Sequence, residues 1–227
     1  MALTYNDIKD EFITKVKNDK RAQAIVKEVE AGLGTYATAA DFSIRVGQCL
    51  ADILRKYAPL EMISEWDVEN LIPGSLGRCQ QLVTTICRAV QESLNLDAGL
   101  HLKYIQPEFD RDRCWGMVNE LLEHENFADI EASFYDQLVN FNQNVVDESI
   151  RTNARMLNNA GISSKVIRTP DFRACAWCRE VAGTYDYEEV KGTGDDVWRR
   201  HENCRCIIDY VTERNGAVYT ERVYEGR

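Results

Sequence analysis

Four cysteines and one histidine lie close together in the last third of the chain, at spacings typical of a metal site. A Cys-x-x-Cys motif is followed, after a gap of 22 residues, by His-x-x-Cys and one more cysteine (Cys175, Cys178, His201, Cys204 and Cys206). A Cys-x-x-Cys turn places two thiolates at the separation that one tetrahedral ion needs. Thiolate and imidazole donors favour Zn²⁺ over Mg²⁺ or Ca²⁺. We therefore predict one structural zinc ion at this cluster.

These five candidate ligands compete for four positions around the ion. Cys175, Cys178 and Cys204 are the predicted members of any metal site here, whereas His201 and Cys206 compete for the fourth position. The His-x-x-Cys spacing mirrors Cys-x-x-Cys and gives His201 a slight preference. The remaining residue would then orient one of the ligands. A complete set of protein ligands is typical of a closed structural site, because catalytic zinc keeps one position open for water.

The spacings alone leave other interpretations of the cluster open. A redox Cys-x-x-Cys motif would need a β-α-β context, which the surrounding sequence lacks, and disulfides would need an oxidising environment. A zinc-dependent nuclease or processing enzyme would need a base beside the metal, and of three histidines in the chain only His201 lies in this region. Enzyme activity is thus the alternative function, which replacement of Glu188, Asp195 or Asp196 would test. We expect no catalytic residues and no cofactor besides zinc.

The other four cysteines occur one at a time within sequence of helical pattern (Cys49, Cys79, Cys87 and Cys114). Free cysteine in such positions behaves as a small apolar residue and is commonly buried. We therefore predict that these four cysteines lie in a hydrophobic core and bind no metal.

The fold class predicted from the apolar pattern is mainly α. Apolar residues recur at helical spacing throughout residues 1–160, which predicts a helical body. Thr38 is predicted to cap one helix at its N-terminus, Pro73 to separate two elements, and Pro107 to open a further helix.

The clearest predicted helix is a long spine that ends near Gly161. Its apolar residues step by 4, 4, 3 and 4 (Ile130, Phe134, Leu138, Phe141 and Val145), and Gly161 stands where a glycine would end the helix. Roughly 30 residues is long beside a usual average of about 11–12. We therefore expect a packing element, which can also support an oligomer.

The pattern of residues 161–227 predicts a small β-rich α+β module that the zinc ion holds together. Val166–Arg168 has the pattern of a short strand, and an Asn215-Gly216 pair between two alternating runs predicts a C-terminal hairpin. A module of this size buries little core by itself, so metal binding would supply much of its stability.

Charge and hydropathy restrict the classes of partner. The net charge is −10, of which −9 falls on residues 1–160, and an acidic body does not neutralise phosphates. We therefore expect no direct DNA binding by the body; a basic protein partner fits the charge better than nucleic acid, although acidic surfaces also serve solubility. No apolar run approaches the roughly 20 residues of a membrane helix. Residues 1–7 have no signal-peptide pattern, so we expect synthesis in the cytoplasm.

Several segments resemble, in order, a known set of motifs. They are DESIRTNAR at 147–155, NAGI at 159–162, DFRACAWC at 171–178, AGTY at 182–185 and RHENCRC at 200–206. Together they resemble the Mu F-like head-morphogenesis family of tailed phages and prophages, in the form carried by phages of Gram-positive hosts. The resemblance covers about residues 145–212. It departs from the family pattern at Ala176 and Glu202, where the family often has proline; neither is a candidate ligand.

The resemblance implies a minor head protein, present in few copies in the virion and made in the cytoplasm of a bacterial host. Its implied partners are the phage portal and the major capsid protein. It further implies a role in head assembly, with DNA packaging or ejection as additional expectations. A zinc-stabilised regulatory module encoded by the host itself is the third interpretation, which would be favoured if the gene lay outside a prophage.

Overall fold

A computed structural model of the chain describes residues 5–57, 64–191, 197–201, 203–214 and 217–218. In these residues, five α-helices precede the long spine helix, and two single-turn helices follow it in the C-terminal part. The helices are α1 (Tyr5–Asn18), α2 (Lys20–Glu30), α3 (Tyr36–Tyr57), α4 (Glu65–Asp97), α5 (Arg111–Glu123), α6 (Glu131–Asn159), α7 (Ala176–Glu180) and α8 (Tyr187–Val190). The strands are β1 (Ser163–Thr169), β2 (Gly183–Asp186), β3 (Ile207–Arg214) and β4 (Ala217–Val218). The predicted fold class, a mainly helical body with a long helix and a small α+β C-terminal part, is confirmed.

The long spine helix is α6, which has 29 residues. Gly161 follows it with φ +79°, a left-handed conformation that glycine adopts without a steric penalty. The backbone N–H of Ile162 closes the helix end by donating to the Leu157 carbonyl at 2.9 Å. Against its flank, α3 approaches so closely at Gly47 that a Cβ there would lie 2.7 Å from the Cα of Val139. The spine therefore packs backbone to backbone against the body.

The predicted N-cap at Thr38 is wrong by one turn. α3 begins at Tyr36, and Thr35 caps it: its Oγ1 accepts from the backbone N–H of Thr38 at 3.1 Å. Thr38 returns the bond, since its Oγ1 accepts from the Thr35 N–H at 3.2 Å. A reciprocal pair of this kind satisfies two N–H groups at the helix start.

Two predicted proline boundaries are also wrong. Pro73 lies inside α4, which is capped earlier by Ser64. A proline inside a helix costs about 3 kcal/mol, and here the buried neighbours Leu71 and Ile72 contribute packing that offsets it. Pro107 does not open α5; that helix begins four residues later, where the Asp110 side chain accepts from the backbone N–H of Arg113 at 3.0 Å.

The four strands form one antiparallel sheet in the order β2-β1-β3-β4. The predicted strand at Val166–Arg168 is confirmed and extends in both directions. β3 and β4 pair on either side of Asn215-Gly216, with Arg214 opposite Ala217. The predicted turn itself, and the predicted continuation of the last strand beyond residue 218, lie outside the described residues.

The sheet and the helical body share one apolar core. The rings of Tyr36 in α3 and Tyr210 in β3 lie 5.6 Å apart. Their hydroxyls both donate to the buried Oε1 of Gln91 in α4, at 2.8 and 2.5 Å. Packing thus continues across residue 160. The predicted division of the chain into two domains at that residue stays a prediction. None of the described helices combines the length and apolarity that crossing a membrane requires.

Candidate metal centre

The sheet brings the two halves of the cysteine and histidine cluster together. β1 and β3 are antiparallel neighbours, with Thr169 opposite Ile207 at one end of the pair. The Cys-x-x-Cys segment follows the end of β1, and the His-x-x-Cys segment leads directly into the start of β3. Both segments consequently lie at the same edge of the sheet, although 22 residues separate them in the chain.

Each half turns tightly around its own ligands. Cys175 is the N-cap of α7, where its Sγ accepts from the backbone N–H of Cys178 at 3.4 Å. In the other half, the backbone N–H of Cys204 donates to the His201 carbonyl at 3.2 Å. Asn203 lies between them with φ 56°, a left-handed conformation that asparagine tolerates better than most residues. Both turns point sulfur and nitrogen donors to one place.

Two of three distances between donor atoms are close to those around a single four-coordinate ion, and the third, from His201 to Cys178, is shorter. The Sγ atoms of Cys178 and Cys204 are 3.8 Å apart. The Nε2 of His201 lies 2.9 Å from the Sγ of Cys178 and 3.4 Å from that of Cys175. Tetrahedral zinc, with Zn–S about 2.3 Å and Zn–N about 2.0–2.1 Å, separates its donors by roughly 3.5–3.8 Å. The cluster therefore has the donors and spacing to hold a metal ion.

All five predicted ligands are in this cluster, in two overlapping groups that share Cys178. Cys175, Cys178 and His201 form one group, and Cys178, Cys204 and Cys206 form the other, with donor atoms within 4.8 Å in each. Cys178, Cys204 and Cys206 are each 1% exposed, whereas Cys175 is exposed. The choice between His201 and Cys206 stays a prediction, as does zinc as the identity of the metal.

Two buried arginines contact the sulfur atoms, and neither was predicted from the sequence. Arg168 in β1 directs Nη2 to the Sγ atoms of Cys178 and Cys204, at 3.8 Å each. Arg200 directs Nη1 to the Sγ of Cys204 at 3.8 Å and donates to the Cys206 carbonyl at 2.8 Å. The period-2 pattern of β1 held a signal for Arg168, because it shares the inward face of the strand with Val166.

The spine helix holds the ligand loop through a buried ion pair. Arg200 donates from Nε and Nη2 to the two carboxylate oxygens of Asp147 in α6, at 2.5 and 2.8 Å. Both side chains are 2% exposed. Two turns earlier in α6, the Asn140 amide donates to the His201 carbonyl at 3.0 Å. The predicted packing spine thus positions the residues that would carry a metal.

The surroundings lower the pKa of one buried thiol and raise that of its neighbour. A hydrogen bond from Cys206, with the nearby charges of Arg200 and Arg168, lowers the pKa of Cys204 to about 4. The shared hydrogen bond and burial raise the pKa of Cys206. Burial raises the pKa of Cys178, whereas the Cys178 backbone N–H lowers that of Cys175. These surroundings therefore favour the thiolate form of Cys204, the form that binds metal.

The four cysteines of the body are buried, as predicted. Each is at most 4% exposed. Burial raises the pKa of Cys49 and Cys114 to about 11 and that of Cys79 and Cys87 to about 12. They are protonated core residues at neutral pH, far from the thiolate form.

The structure also bears on the alternative interpretations of the cluster. All eight cysteines lie in the described ranges and are free thiols. The Cys-x-x-Cys helix α7 connects two antiparallel strands, so the parallel β-α-β unit of a redox motif is not formed there. Glu188 lies exposed on α8 and pairs with Lys191. Asp195 and Asp196 lie outside the described residues.

Compared with known proteins, the chain gives no significant match to a family model, to a curated protein or to a solved structure. The functional argument consequently depends on the motifs and on the geometry of the site that they form.

Proposed function

We propose that this protein is a structural and interaction protein of a tailed-phage head: a minor head protein that binds the portal, with the major capsid protein as a further partner. It is made in the host cytoplasm and ends in the virion. One zinc ion staples its C-terminal part, and the protein itself catalyses no reaction. DNA packaging or ejection would be served indirectly, through the position of this protein at the portal.

The observation that carries the proposal is the mutual contact of the segments that resemble the Mu F-like family. Asp147 from the first segment and Arg200 from the last form the buried ion pair beside Cys204. Between them, the glycine of the NAGI segment ends the spine helix, and the Cys-x-x-Cys segment faces the His-x-x-Cys segment. Residues that act together in one site are expected to recur together, so the ordered motif set is supported as a unit.

The burial of the sulfur donors favours a structural role for the metal. Three of the five candidate ligands are nearly inaccessible to water, as in a closed site, whereas a catalytic zinc ion keeps one exchangeable position. In small modules the free energy of metal binding becomes free energy of folding, with apparent values of about 10–16 kcal/mol in zinc-finger peptides. The C-terminal sheet is small but also packs on the helical body, so zinc would supply part of its stability.

The alternative, a zinc-dependent nuclease or processing enzyme, has one observation in its favour. A pocket of about 560 Å³ opens beside the cluster and is lined by Phe172, Cys175 and His201, among others. A substrate would reach the metal from that side. Purified protein would then cleave DNA or a head protein in a zinc-dependent way, and Glu188→Gln would abolish the cleavage.

The metal is tested by elemental analysis of protein purified without chelator. We expect about one zinc ion per chain, and none in a Cys175→Ser/Cys204→Ser double variant. The variant should keep its helical circular dichroism while amide exchange in β1 and β3 accelerates. Cys114→Ala, which removes a core thiol, is the matched control and should keep its zinc. A wild-type protein that binds no zinc would overturn the metal centre.

The head function is tested by co-expression with the portal and major capsid proteins of the same phage or prophage. We expect the wild-type chain to elute with the portal ring in size-exclusion chromatography and to be present in purified virions. The double cysteine variant should lose the association, and Cys114→Ala should retain it. Elution apart from both partners, together with absence from virions, would refute the proposal.

A further inference from the structure

Arg168 occupies an unusual place beside the candidate metal centre. It is the largest fully buried side chain of the described residues, at 2% exposure. It belongs to the second strand in the sheet order, where it lies opposite Gly183 on β2 and Ile208 on β3. Burying a guanidinium is costly unless its surroundings repay the lost hydration. The contacts of the Arg168 guanidinium therefore indicate its role in the site.

One nitrogen of the guanidinium joins the two halves of the ligand set. Nη2 lies 3.8 Å from the Sγ of Cys178 in the Cys-x-x-Cys half and 3.8 Å from the Sγ of Cys204 in the other half. These two sulfurs are themselves 3.8 Å apart. A single donor group thus faces the same pair of sulfurs that a metal ion would bridge.

The other terminal nitrogen, Nη1, holds the loop that carries His201. Nη1 donates to the carbonyl of Val197 at 2.7 Å and to that of Arg199 at 2.8 Å, four and two residues before His201. The planar guanidinium also lies 5.1 Å from the Trp177 ring, which contacts the His201 ring edge-on at 5.8 Å. Four directed contacts at fixed angles need the rigid fork of arginine, which lysine does not have.

The charge of a bound centre favours the same arrangement. Three or four thiolates around a divalent ion leave a net negative charge on the sulfurs. A guanidinium in a region of low dielectric stabilises that charge and is stabilised by it. Hydrogen bonds to ligand atoms hold their orientation and tune their donor strength.

We propose that Arg168 is the positioning residue of the metal centre, which aligns Cys178 and Cys204 on one ion and offsets the charge of their thiolates. This inference depends on the metal centre proposed above, but not on the phage-head function. In this role, Arg168 raises the affinity for the metal and fixes the geometry of its ligands.

The test compares Arg168→Met, Arg168→Lys and the wild type. Zinc affinity is measured by competition with a chromophoric chelator, and ligand geometry from the absorption of the Co²⁺-substituted protein. Loss of a group that supports a metal ligand typically costs 10–100-fold in affinity. We expect Arg168→Met to lose about that much and to shift the cobalt d–d bands, because the two sulfurs are no longer aligned. Arg168→Lys should lose less, because its positive charge remains.

Arg173→Met is the matched control. Arg173 lies two residues from Cys175 and lines the pocket beside the cluster, but its guanidinium stacks on Phe172 at 4.7 Å. This variant should keep both the zinc affinity and the cobalt spectrum of the wild type.

The outcomes separate the two proposals. A wild-type protein without zinc refutes the metal centre itself. A wild-type protein with one zinc ion, beside an Arg168→Met variant of equal affinity and equal cobalt spectrum, refutes the role of Arg168 alone. Equal losses in Arg168→Met and Arg168→Lys with an unchanged cobalt spectrum would also refute it, because simple loss of packing would then explain both. Portal binding decides neither result.

Discussion

The eight cysteines of this chain form two sets of four, one in the helical body and one beside the C-terminal sheet. Seven of the eight are buried, so burial does not distinguish the sets. In the body, apolar surroundings raise each thiol pKa to about 11 or 12. Beside the sheet, a thiol neighbour and two guanidiniums lower the pKa of Cys204 to about 4. Burial alone therefore does not decide the pKa of a thiol, because the hydrogen bonds and charges that face it also contribute.

The largest expected difference between the two sets is in alkylation rate. In metal-free protein at pH 7, iodoacetamide should modify Cys175 at least about 100-fold faster than Cys49 or Cys114. Cys175 is exposed and has a lowered pKa, whereas a thiol of pKa about 11 has roughly one-hundredth the thiolate of one near 9. Peptide mass spectrometry over time measures the rates.

Zinc supplies the control for that experiment. Saturation with zinc should protect Cys175 and leave the slow labelling of the body cysteines unchanged. The comparison would break if a body cysteine reacted as fast as Cys175 in folded protein, because the two chemical environments would then be equivalent.

The next largest effect concerns the ion pair that joins the two regions. Asp147→Asn removes the carboxylate of a buried pair and leaves the Arg200 charge without it. Such a loss typically lowers the free energy of unfolding by about 3–5 kcal/mol. Urea unfolding of the zinc-loaded protein measures it.

Asp52→Asn is the matched control for the ion pair. Asp52 pairs with Lys15 and Arg55 on the surface of the body, and its side chain is 50% exposed. Exposed pairs contribute about 0–1 kcal/mol. Equal destabilisation by the two variants would mean that the spine does not anchor the ligand loop in the way that the geometry indicates.

The pH dependence of stability should have opposite signs for the buried body thiols and for Cys204. Burial raises the native pKa of Cys79 and Cys87 to about 12 from an ordinary 9.0, so their contribution is complete below pH 9 and is lost toward pH 12. Each such group contributes at most about 1.4 kcal/mol per pH unit. The lowered pKa of Cys204 has the reverse effect in metal-free protein: its contribution is present above pH 9 and is lost as the pH falls toward 4.

Urea titrations between pH 5 and 11 measure both slopes. Cys87→Ala should reduce the alkaline loss. Cys204→Ser should flatten the acid side and also reduce the alkaline loss, because Cys204 helps to raise the pKa of Cys206. A Cys87→Ala variant with the full alkaline slope would show that other groups account for it.

The sequence predicted correctly those parts of the fold and of the candidate site whose signal lies within a short segment. The cysteine and histidine spacings, the apolar steps of the spine and the glycine at its end each lie within a short segment, and the structure contains all of them. The burial of the scattered cysteines followed from the helical pattern around them. Such signals depend on neighbours in the chain, which a sequence displays directly.

The features that sequence reasoning missed depend on residues distant in the chain. Asp147 and Arg200 are 53 residues apart, and neither has a local pattern that reveals the other. Pro73 was predicted to end an element because its local cost is known, but packing of the turn before it outweighs that cost. At Thr38, the pattern suggested a cap, and the partner Thr35 takes that role. Tertiary contacts decided the first two cases, whereas the exchange between Thr35 and Thr38 is local and lies three residues apart in the chain.

The smallest predicted effect tests how strongly the sheet is attached to the body. Tyr210→Phe removes a hydroxyl that donates to Gln91, which also accepts from Tyr36. Because Tyr36 still satisfies that oxygen, the free energy of unfolding should fall by only about 0.5–1.5 kcal/mol. Tyr185→Phe, whose part-buried hydroxyl donates to the Val181 carbonyl at 3.0 Å within the C-terminal part, is the control and should cost less. If zinc alone held the sheet in place, Tyr210→Phe would have no effect on the zinc-loaded protein. A measurable loss of unfolding free energy in the zinc-loaded protein would mean that the helical body and the C-terminal sheet, which carry the two sets of cysteines, also stabilise each other by packing.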